Sequence, residues 1–439
     1  MHELLYGRRL ATQELLQLGY ATTMLATLPS EPAMLCQSHS VTCQRCSYKH
    51  SKSVVQLPKG NYYCPACLEL GQITSDQKLY HLPEPNDFRV DQPILTWAGC
   101  LTPGQVKVAD ALIAGYDQGQ AQLLWAVTGA GKTEMLFPLL AFALAQGGRV
   151  GLASPRIDVC NELFPRLQRA FANTSIQLLH GQQKAPYAYT QLTVSTTHQL
   201  LRFYHAFDLL IIDEVDAFPF VGSQGLNFAA EQALKPGRGR VNLTATPTQQ
   251  LQGQSRRQEL KTSYLPRRFH GRQLPLPKLK QQYRLGVKIG QGRLPNCFWR
   301  QVQQSIAQQR QVLVFLPRIA QLAELAPIFA RKLTVKLTTV HAGDAQRQTK
   351  ITAFRQKKLQ LLLTTTILER GVTFSNIDVY VLQADAPIFN AAALVQIAGR
   401  AGRDAKFANG QVCFFYEHYT KAIQTCCRQI KFMNAQGGN

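Results

Sequence analysis

Short apolar runs alternate with longer amphipathic stretches in two blocks of the sequence. Apolar runs that end in small polar residues predict buried strands, and the amphipathic stretches between them predict helices. The predicted strands lie at residues 123–127, 150–155, 176–179, 192–194, 207–212 and 241–247 in the first block, and at 311–316, 335–340, 359–363 and 379–383 in the second. This alternation predicts an α/β fold with two open parallel sheets and helices on both faces of each.

A tight turn between a predicted strand and a predicted helix has the residues of a phosphate-binding loop. The turn contains Gly129, Ala130 and Gly131, and Lys132 and Thr133 follow it. Backbone N–H groups in such a turn, with the positive end of the next helix, bind phosphate. The lysine is expected to reach the terminal phosphates, and the threonine hydroxyl to bind Mg²⁺. The pattern's first glycine is replaced by alanine at position 126, and an ordinary glycine-rich turn with a surface lysine is the alternative.

An acidic pair, Asp213 and Glu214, directly follows the predicted strand at 207–212. Ligand sites of open parallel sheets lie at the carboxyl ends of the strands, so we expect this pair to converge with Lys132 and Thr244. Asp213 is then expected to complete the Mg²⁺ ligands, and Glu214 to orient or deprotonate the attacking water. The alternative role for an acidic pair after a strand is to cap the N-terminus of a helix.

Four of the 11 cysteines form two CxxC pairs near the start of the chain, namely Cys43, Cys46, Cys64 and Cys67. Their spacing predicts a tetrahedral, structural Zn²⁺ site with no open coordination position. Two disulfides are the alternative, which a reducing cytoplasm disfavours. Cys36, His39 and His50 lie nearby and are not assigned as ligands. Basic and aromatic residues around the pairs either bind single-stranded nucleic acid or form the outer surface of a small module, and the sequence leaves both open.

The chain is strongly basic, with 48 Lys and Arg against 26 Asp and Glu and a formal net charge of +22. Such an excess favours a polyanionic partner, either nucleic acid or an acidic membrane surface, over a surface that is basic only for solubility. Residues 253–310 contain thirteen Lys or Arg, several prolines and Glu259 as the only acid. They predict an irregular connection that lies along a polyanion, with a solvated linker as the alternative.

The length of 439 residues and the hydrophobic content of 45% allow roughly three domains and exclude wholesale disorder. No apolar stretch reaches the roughly 18 residues of a membrane span, and the N-terminus lacks the features of a secretory signal. We therefore expect a cytoplasmic protein. Residues 1–35 show weak helical patterning, and the polar, proline-containing residues 75–98 predict a linker.

Gln396, Arg400 and Arg403 are spaced by four and three residues near the end of the second block. On a helix this spacing places all three side chains on one face. Two guanidinium groups on such a face can bind a phosphate cluster, as arginine fingers do. Salt bridges to acidic residues elsewhere in the chain are the alternative.

The ordered motifs AVTGAGKT, DEVD, TAT, TTTILERGVTF and QIAGRAGR resemble those of superfamily 2 helicases and translocases over residues 97–415. The resemblance implies two tandem RecA-like lobes that bind ATP between them. It implies that Gln105 contacts adenine, that Glu369, Arg370 and Gly371 link the ATP site to nucleic acid, and that the final motif completes catalysis. The side chains implied to contact the nucleic-acid backbone include Arg156, Thr196, Thr197, Thr365 and Thr366.

The four-cysteine module and the segments LYGRRL, ASPRIDV and DEVDAFPF make the chain similar to the ComFA family of late competence proteins. The similarity implies an ATP-driven translocase that helps import single-stranded DNA from the cytoplasmic face of the membrane. It implies the channel ComEC and the proteins ComFC and DprA as partners, peripheral membrane association, and leaves a homo-oligomer open. The domains expected are 1–95 with the zinc module, 96–252 as lobe 1, 253–290 as a basic connection and 291–439 as lobe 2.

Three rival functions remain at this stage. One is a duplex-unwinding helicase like PriA in replication restart or repair, although that family carries its zinc insertion between the lobe motifs. Another is a non-catalytic nucleic-acid-binding scaffold, which the intact lysine, acidic and arginine motifs disfavour. A basic protein that binds membrane surfaces is the third, and no amphipathic anchor supports it. Val215 stands where DEAD-box RNA helicases have alanine, which disfavours an RNA substrate.

Overall fold

Two small antiparallel sheets and two short helices form the N-terminal part of the chain. The computed structural model describes residues 2–182, 185–370, 374–405 and 409–437. The elements of this part are β1 (Arg9–Ala11), α1 (Thr12–Gln17), α2 (Thr22–Leu25), β2 (Ser30–Pro32), β3 (Met34–Cys36), β4 (Ser40–Cys43), β5 (Lys49–Ser51) and β6 (Lys78–His81). The strand orders are β1-β6-β2 and β3-β4-β5. Single turns of 3-10 helix lie at His2–Leu5, Pro58–Gly60 and Pro65–Leu70.

The prediction of a linker at residues 75–98 is wrong for β6, which is the central strand of its sheet. Leu79 of β6 is fully buried and Tyr80 is 6% exposed, so this apolar pair anchors the strand among polar neighbours. The strand pairs antiparallel with β1 and with β2. Because β1 lies some seventy positions earlier in the chain, no local pattern in the linker-like segment reveals the pairing.

A seven-stranded sheet follows in the chain. Its elements are α3 (Pro103–Asp117), β7 (Gln122–Ala126), α4 (Lys132–Met135), α5 (Phe137–Ala145), β8 (Val150–Ser154), α6 (Ile157–Ala170), β9 (Ile176–Leu179), β10 (Leu192–Thr196), β11 (Leu209–Asp213), α7 (Gln224–Ala233), β12 (Val241–Thr244), α8 (Gln249–Arg256) and β13 (Lys261–Leu265). The strand order is β13-β7-β12-β11-β8-β10-β9. Every residue of β7, β8 and β10 is buried, as expected for strands that helices cover on both faces.

A six-stranded sheet completes the chain. Its elements are β14 (Lys278–Gln281), α9 (Leu285–Gly290), α10 (Asn296–Ala307), β15 (Gln311–Phe315), α11 (Ile319–Lys332), β16 (Leu337–Val340), α12 (Arg347–Arg355), β17 (Leu361–Thr364), β18 (Ile377–Leu382), α13 (Ala391–Ala398), β19 (Val412–Tyr416) and α14 (Lys421–Gln436). The strand order is β14-β19-β18-β15-β17-β16, and all of these neighbours pair in parallel. The prediction of two open parallel sheets is thus confirmed.

The chain divides into two units by its internal contacts. The first comprises Met1–Trp125 and Thr133–Ser263, and the second comprises Ala126–Lys132 and Tyr264–Asn439. The basic residues 253–310 are not the irregular connection that their prolines predicted, because they contain β13 and β14 at the edges of the two sheets. An edge strand tolerates charged side chains, and Lys278 and Lys280 of β14 are exposed.

The four-cysteine module shares a hydrophobic core with the first parallel sheet. Val41, Cys64 and Ile73 of the module belong to the same buried cluster as Phe207 and Leu210 beneath the sheet. The module is therefore packed onto the first unit and is not a tethered appendage. Among the described residues, no helix combines the length and the apolar character that crossing a bilayer requires.

Candidate nucleotide site and four-cysteine cluster

The phosphate loop connects the buried strand β7 to helix α4, which begins at Lys132. Gly129 and Gly131 have φ angles of 79° and 72°, a conformation that residues with a Cβ rarely adopt. Glycine is therefore required at both positions of the turn. Thr133 is 8% exposed at the start of the helix. The local geometry is that of a strand, a tight turn and a helix N-terminus, as the sequence predicted.

The acidic pair lies at the carboxyl end of β11, beside β12 in the first sheet. Asp213 is the last residue of β11, and its carboxylate accepts a hydrogen bond of 2.9 Å from the backbone N–H of Glu214. Glu214 has a φ angle of 54°, in the left-handed region that is unusual for a residue with a side chain. Such strain is typical of functional turns, where the surrounding structure holds one side chain in a defined direction.

Asp216 is a functional candidate that the sequence reasoning left without a role. Its carboxylate accepts hydrogen bonds of 2.5 Å from the Thr244 hydroxyl and 2.6 Å from the Thr246 hydroxyl. Thr244 ends β12 and Thr246 lies just beyond it, while Asp216 lies three residues beyond the end of β11, so these bonds join the ends of two neighbouring strands. These short, charge-assisted bonds fix the TAT segment to the acidic turn. The signal in the sequence that could have identified Asp216 was its place as the fourth residue of the DEVD motif.

The arginine motif is not on a helical face, and that prediction is wrong. Helix α13 ends at Ala398, and the chain turns after Gly399, with Gly402 at a φ angle of 65°. The Arg403 Nε donates to the carbonyl of Gly399 at 3.1 Å, which the turned backbone permits. Gln396 is buried on the helix, and we call residues 399–403 the arginine loop.

Arg400 is 1% exposed, and its Nε donates to the backbone carbonyl of Glu369 at 3.1 Å. This bond joins the arginine loop to the ERG segment that was predicted to link the ATP and nucleic-acid sites. The Glu369 carboxylate lies 3.7 Å from the Arg370 guanidinium. Gly371, the third residue of that segment, lies outside the described residues. The two motifs of the second block are thus in direct contact.

Arg268 holds the arginine loop from beneath, and no sequence motif pointed to it. Its Nη1 donates to the carbonyls of Ala401, at 2.6 Å, and Gly402, and its Nη2 donates to that of Gly399 at 3.2 Å. The side chain is 2% exposed. Burial first, and then the nearby Arg403 charge, lower the pKa of this guanidinium to about 9. Even so it remains protonated at neutral pH, so it can bind three carbonyls at once.

The same unit brings the phosphate loop to the arginine loop. The Thr128 hydroxyl donates to the Gly399 carbonyl at 3.3 Å, and the Phe269 N–H donates to the Gly129 carbonyl at 3.0 Å. A Cβ added at Gly399 would lie 1.9 Å from the Thr128 hydroxyl, so only glycine fits there. Residues predicted to bind phosphate and residues predicted to act as arginine fingers are therefore neighbours in the second unit.

Replacing Arg268 by alanine is expected to lower the kcat of ATP hydrolysis by about tenfold or more, with little change in KM. The loop would lose three hydrogen bonds that fix its arginines, and loss of supporting contacts typically costs about 10- to 100-fold. Arg268→Lys should recover only part of the rate, since one ammonium cannot match the planar fork. Arg267→Ala is the matched control, because Arg267 bonds Gly437 and not the loop. Equal losses in both alanine variants would contradict the role of Arg268.

The remaining predicted residues lie at strand ends or helix starts. Arg156 directly precedes α6, Thr196 ends β10, and Thr365 follows β17. Thr366 begins a short 3-10 turn, and Thr197 is fully buried. Gln105 is 5% exposed, and its carbonyl accepts from the Thr102 N–H at 2.9 Å in the N-terminal cap of α3. The Thr102 hydroxyl in turn accepts from the Gln105 N–H, so Thr102 is the N-cap of this helix.

The four cysteines of the CxxC pairs meet in one buried cluster. All four sulfurs lie within 4.8 Å of one another. The Cys43 and Cys67 sulfurs are 3.8 Å apart, and those of Cys46 and Cys64 are 3.5 Å apart. Tetrahedral Zn²⁺ with bonds of about 2.3 Å to sulfur needs separations of about 3.8 Å, so the donor set fits this ion. Both of these sulfur–sulfur distances are much longer than a disulfide bond.

Arg45 supports the cluster from within the first CxxC pair. It is 1% exposed, and its Nε donates to the Cys67 sulfur at 3.5 Å. Its Nη2 donates to the carbonyls of Cys67, at 3.2 Å, and Gly71, at 2.5 Å. Hydrogen bonds from the other thiols, first Cys43, and the Arg45 charge hold the pKa of Cys67 far below its usual range. A thiolate at this position suits a metal ligand.

Replacing Cys43 by serine is expected to abolish metal binding and to loosen residues 36–70. Three thiolates bind Zn²⁺ far more weakly than four, and without the ion the buried thiols that bring the two knuckles together lose their shared ligand. Metal analysis should find one zinc per unaltered chain and none in the variant, and limited proteolysis should cut the variant within the module. Cys36→Ser is the control, because Cys36 is exposed and outside the cluster. An unaltered chain without zinc would refute the assignment.

Comparisons with known proteins agree with this architecture. Residues 102–253 match the family model of the DEAD/DEAH box helicase, and residues 295–405 match that of the helicase conserved C-terminal domain. The chain is 41% identical to competence protein ComFA of Streptococcus pneumoniae, over 93% of both chains. It is 38% identical to competence protein ComFA of Bacillus subtilis, over 95% of this chain and 89% of that one.

Solved structures give the fold. Dbp5 of S. cerevisiae bound to RNA and ADP BeF3 superposes with a TM-score of 0.51 at 15% identity, over 76% of this chain and 92% of that one. RecG bound to a three-way DNA junction superposes with a TM-score of 0.52 at 18% identity, over 77% of this chain and 45% of that one. The prediction of two RecA-like lobes with a small N-terminal four-cysteine module is confirmed.

Proposed function

The chain belongs to the ComFA family of competence proteins and is a DNA-dependent ATPase of the superfamily 2 helicase type, and from this premise we propose that it translocates single-stranded DNA. In this proposal ATP hydrolysis helps to draw transforming DNA across the cytoplasmic membrane during natural competence. The supporting observation is that the family likeness extends through the four-cysteine module as well as the two helicase regions, and this module precedes the motor.

The proposed chemistry divides among the described residues as follows. Lys132 and the N–H groups of Gly129, Ala130 and Gly131 bind the phosphates of ATP, and Gln105 contacts the adenine. Mg²⁺, bound by the Thr133 hydroxyl and the Asp213 carboxylate, would neutralise charge on the phosphates. Both donors are oxygen ligands of the kind that this ion prefers.

A second set of residues is proposed to promote the attack of water on ATP and to couple hydrolysis to movement along DNA. Glu214 orients or deprotonates the attacking water, and Arg400 and Arg403, with Gln396 behind them, stabilise negative charge on the transferred phosphoryl group. Glu369, whose carbonyl accepts from the Arg400 guanidinium, connects the arginine loop to the nucleic-acid side of the second sheet. Arg156, Thr196, Thr197, Thr365 and Thr366 are the proposed contacts to the DNA backbone.

The proposed setting is the inner face of the cytoplasmic membrane, with the chain held there peripherally. The channel ComEC and the proteins ComFC and DprA are the proposed partners. Zn²⁺ in the four-cysteine cluster is proposed to stabilise the module. The net charge of +22 supports this setting, because both DNA and an acidic membrane surface are polyanions.

ATP hydrolysis measured in parallel with single-stranded DNA, duplex DNA and RNA tests the proposal. Single-stranded DNA should stimulate hydrolysis the most, and a tethered single strand should be pulled without any duplex being unwound. Robust strand displacement by the isolated chain would favour a replication-restart helicase instead. Absence of stimulation by single-stranded DNA would refute the motor and favour a nucleic-acid-binding scaffold.

A further inference from the structure

A groove of about 350 Å³ lies within the first unit, between the four-cysteine module and the turns that follow β11. Cys46, Tyr48 and Ala66 of the module form one wall. His198 and Phe218 contribute to the opposite wall. Its volume is at the small end of the range of ligand pockets, roughly 300–1,000 Å³. Cys46 is the one residue of this lining to which the proposed nucleotide and Zn²⁺ chemistry gives a role, so that chemistry does not account for the groove.

Three residues that line the groove carry aromatic rings, and one of these rings is largely exposed to solvent. Phe218 is 83% exposed, although it sits five positions after the catalytic candidate Asp213. Tyr48 and His198 are both half-buried and present two further rings to the same groove. Phe218 and the 38% exposed Val221 form a contiguous apolar surface along this groove, and such a surface is typical of an interaction site, whereas a lone exposed apolar residue is not.

Packing between the four-cysteine module and α7 holds the walls of the groove. Tyr48 packs against the backbone of α7, where a Cβ added at Gly225 would lie only 2.7 Å from its ring. Cys46 and Leu226 on either side belong to one buried core cluster. The four-cysteine cluster and α7 therefore fix the spacing of the two walls. A ligand would bind without ordering these walls first, which favours affinity.

The position and charge of the groove indicate what it binds. His198 stands two residues after the end of β10, at the carboxyl edge of the first sheet, where the backbone contacts of the DNA strand are proposed. None of the residues that line the groove is acidic. Lys49 and Lys52 follow Tyr48 in the sequence, outside the groove lining, and give this part of the module a positive charge that suits a phosphate backbone. DNA, the nucleic acid that activates this ATPase, offers both phosphates and flat aromatic bases.

We propose that this groove takes an unpaired nucleobase of the DNA strand, which stacks on Phe218 beside the zinc module. The inference rests on the proposed function, because it needs a single strand at the carboxyl edge of the first sheet. Stacking suits any base, since every base has a π-face, so the contact would serve a motor that must move along any sequence. It also gives the four-cysteine module a direct part in gripping the strand.

The test compares the binding of two fluorescent single strands of equal length, one with normal bases and one with a central run of abasic sugars. Phe218→Ala should weaken binding of the normal strand about tenfold and leave binding of the abasic strand unchanged. The salt dependence of binding should stay the same, because phosphate contacts are untouched. A 5-iododeoxyuridine in the strand should crosslink to residues of the groove.

Ala66→Trp supplies a second variant from the opposite wall. Ala66 is exposed, so a larger side chain there fills the groove without disturbing the core, and it should weaken only the normal strand. Val54→Ala is the matched control, because Val54 is a 74% exposed apolar residue of the module outside the groove.

Equal effects of Phe218→Ala on both strands, or no effect on either, would overturn the nucleobase site. A change in self-association without a change in DNA binding would instead make the groove a contact between copies of the chain, and would also overturn it. Failure of the unaltered chain to bind or respond to single-stranded DNA would refute the proposed function itself, so the two failures are distinguishable.

Discussion

Replacing Lys132 by alanine is expected to lower ATP hydrolysis by at least about 100-fold while leaving the fold intact. Removing a single preorganised donor that stabilises transition-state charge typically costs about 100- to 1,000-fold in kcat. Lys132 opens α4 directly after the two glycines with positive φ angles, so its ammonium belongs to the turn that we propose to bind phosphate. The backbone conformation of the turn rests on its two glycines with positive φ angles, and the substitution leaves both in place.

The measurement is steady-state hydrolysis with saturating single-stranded DNA, together with DNA binding in the absence of ATP. Lys132→Ala should keep its DNA affinity and its thermal unfolding profile, because the chemistry and not the fold is removed. Lys107→Ala is the matched control, since Lys107 is an exposed lysine of α3 in the same region of the chain. Near-normal hydrolysis by Lys132→Ala would show that the phosphate loop is not the catalytic nucleotide site.

The parts of this architecture that the sequence predicts are those encoded locally. Strands such as β8 and β15 are continuous apolar runs because they are buried on both faces, so their positions follow from the pattern of residues alone. The phosphate turn and the cysteine spacing are equally local. The carboxyl ends of parallel strands share one edge of the sheet, so even the juxtaposition of Asp213 with the TAT segment was foreseeable.

What the sequence did not reveal depends on contacts between distant segments. Arg268 was one of thirteen basic residues in a supposed connection, and only the fold places its guanidinium under the carbonyls of the arginine loop, more than 130 positions away. The spacing of Arg400 and Arg403 fits a helical face, yet helix α13 ends at Ala398, and Gly402 with a φ angle of 65° turns the chain between the two arginines. The spacing argument holds only for residues on a continuous helix, and the helix ends within this motif.

Breaking the ion pair between Glu84 and Arg149 is expected to release the N-terminal part of the chain from the first sheet. Both side chains are 0% exposed, and the Arg149 Nη1 lies 2.5 Å from the Glu84 carboxylate. The same guanidinium donates to the Tyr6 carbonyl at 3.0 Å and to the Tyr187 hydroxyl at 2.6 Å. Arg149 directly precedes β8, Tyr6 precedes the four-cysteine module in the sequence, and Glu84 follows the module. This one arginine therefore links the segments on both sides of the module to the first sheet.

Glu84→Gln leaves the Arg149 charge buried without its counterion, and removing one partner of a buried pair typically costs about 3–5 kcal/mol. Hydrogen exchange should show that the free energy of opening falls by about that amount at β1 and β6, with little change in the second unit. Asp91→Asn is the matched control, because the Arg89–Asp91 pair is 88% and 46% exposed and should contribute no more than about 1 kcal/mol. A similar small loss in both variants would mean that Tyr187 and the backbone carbonyls suffice to hold Arg149, and that the module is fastened by its hydrophobic core alone.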